Sequence, residues 1–211
     1  NVPVWEQEKL ALYTKELPAM LHILSEDPDG LAGIDQEKMR AVTIGRMKII
    51  KPYRDKMENN YPWCIAAVPG KAWAKKVFPA LQVNRAVDAL WDAILKASRA
   101  DGPDPVREWA RHNDNLAKRC DYLNRLGLTA LEYKSSNGTD LRVGLLPNTD
   151  FMGGGESDLK GHYYNPNIPS EEIFTTPRAG DADGIVYATK PLSYQGQLIE
   201  NFSVRFEKGK V

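Results

Sequence analysis

Residues 127–146, GLTALEYKSSNGTDLRVGLL, mark the point where the chain changes from helical to strand-rich sequence. Gly127 ends a helical stretch, and Asn137-Gly138-Thr139 then separates two runs of strand-forming residues. An Asn-Gly dipeptide in this position predicts a β-hairpin, because both central residues of a tight reversed turn need positive φ. The segment therefore predicts an α+β chain, with an α/β layered domain at residues 1–127 and an antiparallel β-rich domain at residues 128–211.

The first half of the α/β portion alternates helical and strand patterns. Apolar periodicity, capping residues and prolines set the expected boundaries. The predicted elements are a helix over residues 4–16, a buried strand over Ala19–Leu24, a helix from Asp35 to about Met57 that Pro52 kinks or breaks, and a strand over Trp63–Val68.

Three further helices are predicted before Gly127, the first of them short and covering residues 71–79. Asn84 is expected to cap the second, which carries Trp91 in the core on a face made by Val87, Leu90, Trp91, Ile94 and Leu95. Asp104 and Pro105 are typical of a helix start. The helix they begin is expected to run to Leu126, with an apolar seam of Val106, Trp109, Leu116, Cys120 and Leu123.

After the hairpin, glycines occupy positions 153–155. No Gly-Lys-Ser/Thr sequence follows them, so a phosphate-binding loop is rejected in favour of a bulge or of backbone freedom near a site. From Gly184 onward, GIVYATKP and IENFSVRFEKGKV alternate as strands of a half-exposed antiparallel sheet do.

Between these regions, GHYYNPNIPSEEIFTTP at 161–177 combines three prolines with the carboxylates of Glu171 and Glu172. The prolines restrict the backbone and push the residues before them toward extended conformations. Side chains alternate along an extended segment, so only one glutamate of the pair can face a given cleft or metal. The segment is a candidate site, although adjacent glutamates are more often part of a solvated loop.

The composition limits the possible partners. Lys plus Arg and Asp plus Glu each number 28, so no net basic field favours nucleic acid or anionic lipid. No apolar run is long enough to cross a membrane, no signal-peptide pattern opens the chain, and a cytoplasmic protein is expected. Neither Cys64 nor Cys120 has a second Cys or clustered His nearby in sequence, which excludes a zinc ribbon or a disulfide scaffold, and both are expected to be buried apolar residues.

The three histidines are scattered along the chain. His22 is expected in the core, His112 on the surface of a helix, and His162 is a candidate for lining a site beside the proline-rich segment. SEDPDGLAGID at 25–35 is rejected as a calcium loop, because Pro28 interrupts it and no bidentate glutamate follows.

Several long motifs resemble the thermophilic-type metalloaminopeptidase family, the group of aminopeptidase T, aminopeptidase S and PepS. The motifs are SEDPDGL (25–31), PWCIAAVPGKAWAKKVFP (62–79), SSNGTDLRVGLLP (135–147), NPNIPSEEIFTTP (165–177) and GIVYATKPLSYQG (184–196). The resemblance extends over the whole chain, which corresponds to about half of such a protein, so both ends are expected to be truncated.

This resemblance implies a two-metal peptide hydrolase that forms a homodimer and removes amino-terminal residues from peptides. It makes Glu172 a metal ligand, with Glu171 pointing away and the other ligands outside this chain. Zinc, cobalt and manganese all accept such ligands, so the metal stays open. Asn165, Asn167, Ser170 and Thr175 are candidates for orienting the ligand, and the fragment alone is expected to be inactive.

Two alternatives remain. A non-catalytic binding or assembly module is consistent with the incomplete ligand set, and histidine- and glutamate-bearing motifs beyond Val211 would decide against it. A Rossmann-type nucleotide binder is disfavoured, because no Gly-x-Gly-x-x-Gly follows either predicted strand.

Overall fold

A computed structural model describes residues 2–25, 27–194 and 197–211. In chain order, the helices and strands of these residues are α1 Val4–Glu16, β1 Met20–Leu24, α2 Gln36–Met57, β2 Trp63–Ala67, α3 Lys71–Val77, α4 Val83–Ala97, α5 Pro105–Arg125, β3 Ala130–Lys134, β4 Asp140–Leu145, β5 Met152–Gly153, β6 Glu156–Ser157, β7 Tyr163–Tyr164, β8 Asn167–Ile168, β9 Ile173–Phe174, β10 Pro177–Tyr187, β11 Leu192–Tyr194, β12 Gln197–Ile199 and β13 Ser203–Phe206. The predicted α+β class is confirmed.

The described chain forms two compact units. The first contains the described residues up to Asp101 together with Gly155–Pro169, and the second contains Gly102–Gly154 and the described residues from Ser170 onward. The proline-rich segment therefore contributes to both units. The predicted domain division at residue 127 stays a prediction, because compactness alone does not show which parts fold independently.

The first unit is built on a parallel three-stranded sheet in the order β1-β2-β8. Asp35 caps α2 as predicted, since its carboxylate accepts hydrogen bonds from the backbone N–H groups of Glu37 and Lys38. The helix continues through Pro52 to its predicted end, although Pro52 cannot donate a backbone hydrogen bond. Helices α3 and α4 pack around a core of Ala74, Ala86 and Leu90.

The second unit combines α5 with an antiparallel sheet in the order β13-β10-β4-β3. Helix α5 begins as predicted, with the Asp104 carboxylate accepting from the N–H of Arg107 and Pro105 in the first turn. Gly127, at φ 60°, follows its last turn and supplies the left-handed conformation that commonly ends a helix. Cys120 of α5 packs with Leu145 and Phe151 in the core of this unit.

The hairpin of β3 and β4 is confirmed, but its turn differs from the prediction. Lys134 pairs with Asp140, which leaves a five-residue loop, and Gly138 has φ 95° while Asn137 is outside the positive-φ region. The Asn137 side-chain oxygen instead accepts the backbone N–H of Thr139. The Asn side chain therefore stabilises a wider loop around one left-handed glycine.

Five predictions about burial or capping are wrong. Strand β1 is mostly exposed, His22 included, because it lies at the edge of its sheet, where β2 is its one neighbouring strand among the residues that the structure describes. Trp91 is 39% exposed, since it is one residue and so about 100° around the helix from the buried Leu90. Helix α4 starts after Gln82, so Asn84 lies inside it and does not cap it. Val106, at the start of the predicted α5 seam, is exposed.

The two cysteines differ. Cys120 is buried as expected, whereas Cys64 in β2 is only partly buried. Burial raises the pKa of both thiols, and the neighbouring Asp121 adds to the effect at Cys120. Both side chains are therefore poor nucleophiles at neutral pH.

Candidate metal centre

Glu171 and Glu172 lie directly before the short strand β9, in the second unit. Strand β9 pairs antiparallel with β5, with Gly153 opposite Ile173 and Met152 opposite Phe174. Both glutamates are exposed. The strands within the proline-rich segment are β7, β8 and β9, and β10 begins at Pro177. The residue after Glu172 is thus held in a β ladder, while the predicted extended conformation at the glutamates themselves stays a prediction.

The glycine cluster has a steric explanation at Gly153. A Cβ atom built at this position lies 2.6 Å from the backbone oxygen of Glu172, a distance that real Cβ contacts do not show. Only glycine therefore allows β5 to approach the backbone of Glu172 this closely. The contact explains this glycine by the close approach of two backbone segments, while the expectation of backbone freedom near a site stays a prediction.

His112 contacts the same segment, and sequence reasoning missed it. Its side chain is 10% exposed, so the prediction of a surface residue is wrong. Its Nε2 atom lies 2.6 Å from the backbone oxygen of Ser170, two residues before Glu172. The signal was present in the sequence, because His112 is three residues after Trp109 and four before Leu116, on the predicted seam of α5.

Glu171 lies next to His112. One of its carboxylate oxygens is 3.9 Å from His112 Nε2, beyond hydrogen-bonding distance, and its side chain is 62% exposed. The structure thus places Glu171 near α5, while the predicted role of Glu172 as a metal ligand stays a prediction.

Thr175 anchors the other end of the segment. Its hydroxyl donates to the backbone oxygen of Asp150 at 3.0 Å and lies 3.3 Å from the hydroxyl of Thr149. Of the four predicted orienting residues, Ser170 and Thr175 therefore contact structure within the unit of Glu172. Asn165 and Asn167 belong to the first unit, where Asn167 pairs with Ile65 of β2.

His162, the other candidate, lies in the first unit and is bound to Asp158. Its Nδ1 atom is 2.8 Å from a carboxylate oxygen of Asp158, whose side chain is fully buried. The other oxygen of Asp158 accepts the backbone N–H groups of Lys160 and His162. Desolvation raises the pKa of the Asp158 carboxyl, but these hydrogen bonds outweigh it and the pKa lies below its usual value.

The second unit also has a cavity of about 680 Å³. Its lining combines apolar side chains with the paired Arg142 and Asp181 and with Arg178. Asp150 and Thr149 belong to this lining, whereas the two glutamates do not. The residues from Ser170 to Thr175, which carry the two glutamates, form what we call the glutamate segment. The cavity and the glutamate segment both contact residues 149–150 but are different surfaces.

In the described part of the chain, no three His, Cys, Asp or Glu side chains are grouped so that they could hold a metal ion. Glu172 fits one carboxylate ligand of a larger set, because it is exposed on a backbone held on both sides. Within the same residues, no helix has the length and apolar character to cross a bilayer.

Comparison with known proteins covers the whole chain. The family model described as thermophilic metalloprotease (M29) matches residues 1–211. Aminopeptidase AmpS of Bacillus subtilis is 36% identical over 210 residues, and aminopeptidase T of Thermus thermophilus is 37% identical over 210 residues. Each alignment covers 99% of this chain and 51% of the relative, so the chain spans about half the length of the curated relatives it matches.

A solved structure agrees with the sequence matches. Wild-type AmpT from Thermus thermophilus superimposes with a TM-score of 0.87 at 34% sequence identity. The match covers 99% of this chain and 51% of that chain. The fold of this chain is therefore shared with about half of the AmpT chain.

Proposed function

We propose, because this chain belongs to the thermophilic metalloprotease (M29) family, that the complete protein is an aminopeptidase that removes amino-terminal residues from peptides with two divalent metal ions. The observation that carries the proposal is the match of the family model to residues 1–211. Relatives that align with 99% of the chain are named aminopeptidases, which favours the same reaction here.

Glu172 is the proposed metal ligand in this chain. Its carboxylate is exposed, and the backbone on either side is held by His112 and by the β5 ladder. A fixed backbone suits a ligand, because a metal centre needs its donor atoms within narrow limits of distance and angle. Bound zinc, cobalt or manganese would supply a Lewis acid and lower the pKa of a bound water.

The proposed setting is a cytoplasmic homodimer acting on peptides. The even balance of acidic and basic residues gives no reason to expect nucleic acid as a partner. Size-exclusion chromatography with light scattering of the complete protein tests the dimer, and a monomer at micromolar concentration would contradict it.

A non-catalytic binding module is the second candidate. It is favoured by one observation, that the described residues do not group into a metal site by themselves. The aminopeptidase names of the relatives weigh against it. This chain aligns with only half of the length of each relative, so the other half can supply the ligands that are not grouped here.

The first prediction concerns Glu172→Gln in the complete protein, which keeps the size of the side chain and removes its charge. We expect metal content to fall by at least one equivalent and hydrolysis of Leu-p-nitroanilide to fall by more than about 100-fold, since even residues behind a ligand cost 10–100-fold. Metal analysis and steady-state kinetics measure the two effects.

Glu171→Gln is the matched control, because it makes the same change one residue earlier. It is expected to keep the metal content of the wild type. Unchanged metal content in Glu172→Gln would remove Glu172 from the centre.

A further inference from the structure

We infer that His112 is a positioning residue for Glu172, holding the backbone of the glutamate segment through the carbonyl of Ser170. The inference rests on the proposed role of Glu172 as a metal ligand. It adds a residue from helix α5, 60 positions earlier in the chain, to the proposed site.

The hydrogen bond fixes the position of one ring proton. A backbone carbonyl can only accept, so at 2.6 Å the Nε2 atom of His112 carries the proton and donates it to Ser170. The neutral ring is then the Nε2–H tautomer, with the lone pair on Nδ1. A ring with its proton on Nδ1 would place two acceptors against each other.

The imidazole is itself held in place. It makes an edge-on contact with the indole of Trp109, with ring centroids 5.5 Å apart. Both residues belong to the 21-residue helix α5, which is anchored in the core of the unit through Leu116 and Cys120. The donor is therefore presented from a rigid element and not from a loop.

The same helix supports the strand that pairs with the glutamate segment. A Cβ atom built at Gly154, directly after β5, lies 3.2 Å from Asn113 and 3.5 Å from Leu116. Helix α5 thus contacts the segment directly at Ser170 and supports it indirectly through β5.

Glu172 lies between these fixed points. The chain is held by His112 at Ser170, by β5 at Ile173, and by Asp150 at Thr175. Loss of the His112 donor releases the anchor before the ligand and leaves the other two intact. The expected result is a loosened ligand on a folded protein, because the core contacts of α5 stay in place.

The test compares His112→Phe with His112→Gln in the complete protein. Phenylalanine keeps the ring against Trp109 and removes the donor, whereas the glutamine amide can place an N–H group near the position of Nε2. Arg111→Ala on the same helix is the control, since Arg111 is 75% exposed and forms an ion pair with Glu108 on the helix surface.

Two readouts separate positioning from general stability. In the metal-free protein, we expect His112→Phe to raise amide hydrogen exchange in residues 171–174 about tenfold, and in the loaded protein to weaken metal binding about tenfold. The kcat value should fall with metal occupancy while KM changes little, and His112→Gln should restore most of both losses.

The outcomes are distinguishable. The inference alone is overturned if His112→Phe keeps wild-type hydrogen exchange and metal affinity while Glu172→Gln loses metal. Faster exchange in His112→Phe without weaker metal binding also overturns it. Unchanged metal content in Glu172→Gln overturns the ligand assignment and the positioning role together. If His112→Phe does not fold, nitrogen-15 shifts of the wild-type ring decide, because an Nδ1–H tautomer is incompatible with the bond to Ser170.

Discussion

At Gly153 the absence of a side chain determines how closely two backbone segments approach. The backbone oxygen of Glu172 occupies the space that a Cβ atom would need, at 2.6 Å. Gly153 is outside the positive-φ region, so the requirement for glycine comes from this contact and not from its own backbone conformation. The residue that carries the proposed ligand thus depends on a glycine about 20 positions earlier in the chain.

Gly153→Ala is expected to destabilise the protein by about 1–3 kcal/mol, because the added methyl group meets a backbone atom that cannot rotate away. Urea unfolding followed by circular dichroism measures the change. Gly102→Ala is the matched control, since a Cβ atom built there has nothing within 4 Å. Equal stability of the two variants would show that β5 can move away at little cost.

Among the elements, the turn between β6 and β7 is held by one buried carboxylate. The Asp158 carboxylate accepts hydrogen bonds from two backbone N–H groups and from the ring of His162. Gly161, at φ 84°, supplies the left-handed conformation in the turn. The pairing of Glu156 with Tyr164 and of Ser157 with Tyr163 follows from this turn. The Tyr164 hydroxyl also donates a hydrogen bond to Glu156. Burial is the largest cause of the raised pKa of Tyr164, and this hydrogen bond is the second.

The Asp158 turn predicts a pH dependence of stability. Because the pKa of Asp158 is lowered in the folded state, its contribution is complete above the unfolded value of about 3.9 and is lost as pH falls through the folded value. Asp158→Asn should therefore lower Tm at pH 7, and the difference from the wild type should shrink as pH falls below about 4. Thermal unfolding between pH 7 and pH 2.5 measures this.

Asp114→Asn is the control for that experiment, because Asp114 forms an exposed ion pair with Lys118 on α5. Such pairs contribute little, so its Tm should stay close to that of the wild type at neutral pH. A Tm difference for Asp158→Asn that stays constant down to the lowest pH would contradict the assignment.

At the scale of the whole molecule, the chain aligns with about half of the length of each relative. The described residues supply one proposed ligand and no grouped metal site. Apolar side chains of β1 are also exposed, with Leu21 at 64% and Ile23 at 51%. The proposed metal centre therefore needs more ligands than the described residues group together.

The 211 residues alone are expected to hydrolyse no aminoacyl substrate, because one carboxylate cannot hold a pair of metal ions. Release of p-nitroaniline from Leu-p-nitroanilide, with zinc, cobalt or manganese added in turn, measures this. The complete protein assayed in parallel is the positive control. Metal-dependent turnover by the isolated chain would show that a site forms without further ligands.

Much of the fold followed from local sequence signals. Asp35 and Asp104 with Pro105 predicted two helix starts correctly, and the apolar runs around residues 20–24 and 63–67 predicted two strands, because caps and periodicity act within a few residues. The sequence motifs also identified the family and the glutamate segment. Burial was predicted less well, as β1 and Trp91 show, because exposure depends on which elements pack nearby.

The surroundings of the candidate site were decided only by the tertiary structure. The sequence by itself determined the α+β class and the starts of α2 and α5, since each depends on neighbouring residues, and its family resemblance singled out Glu172 as the candidate ligand. It did not bring His112 to Ser170 or Gly153 to Glu172, because these contacts join residues 58 and 19 positions apart. Such contacts depend on how helix α5 and strand β5 pack against β9, and no local pattern records that packing.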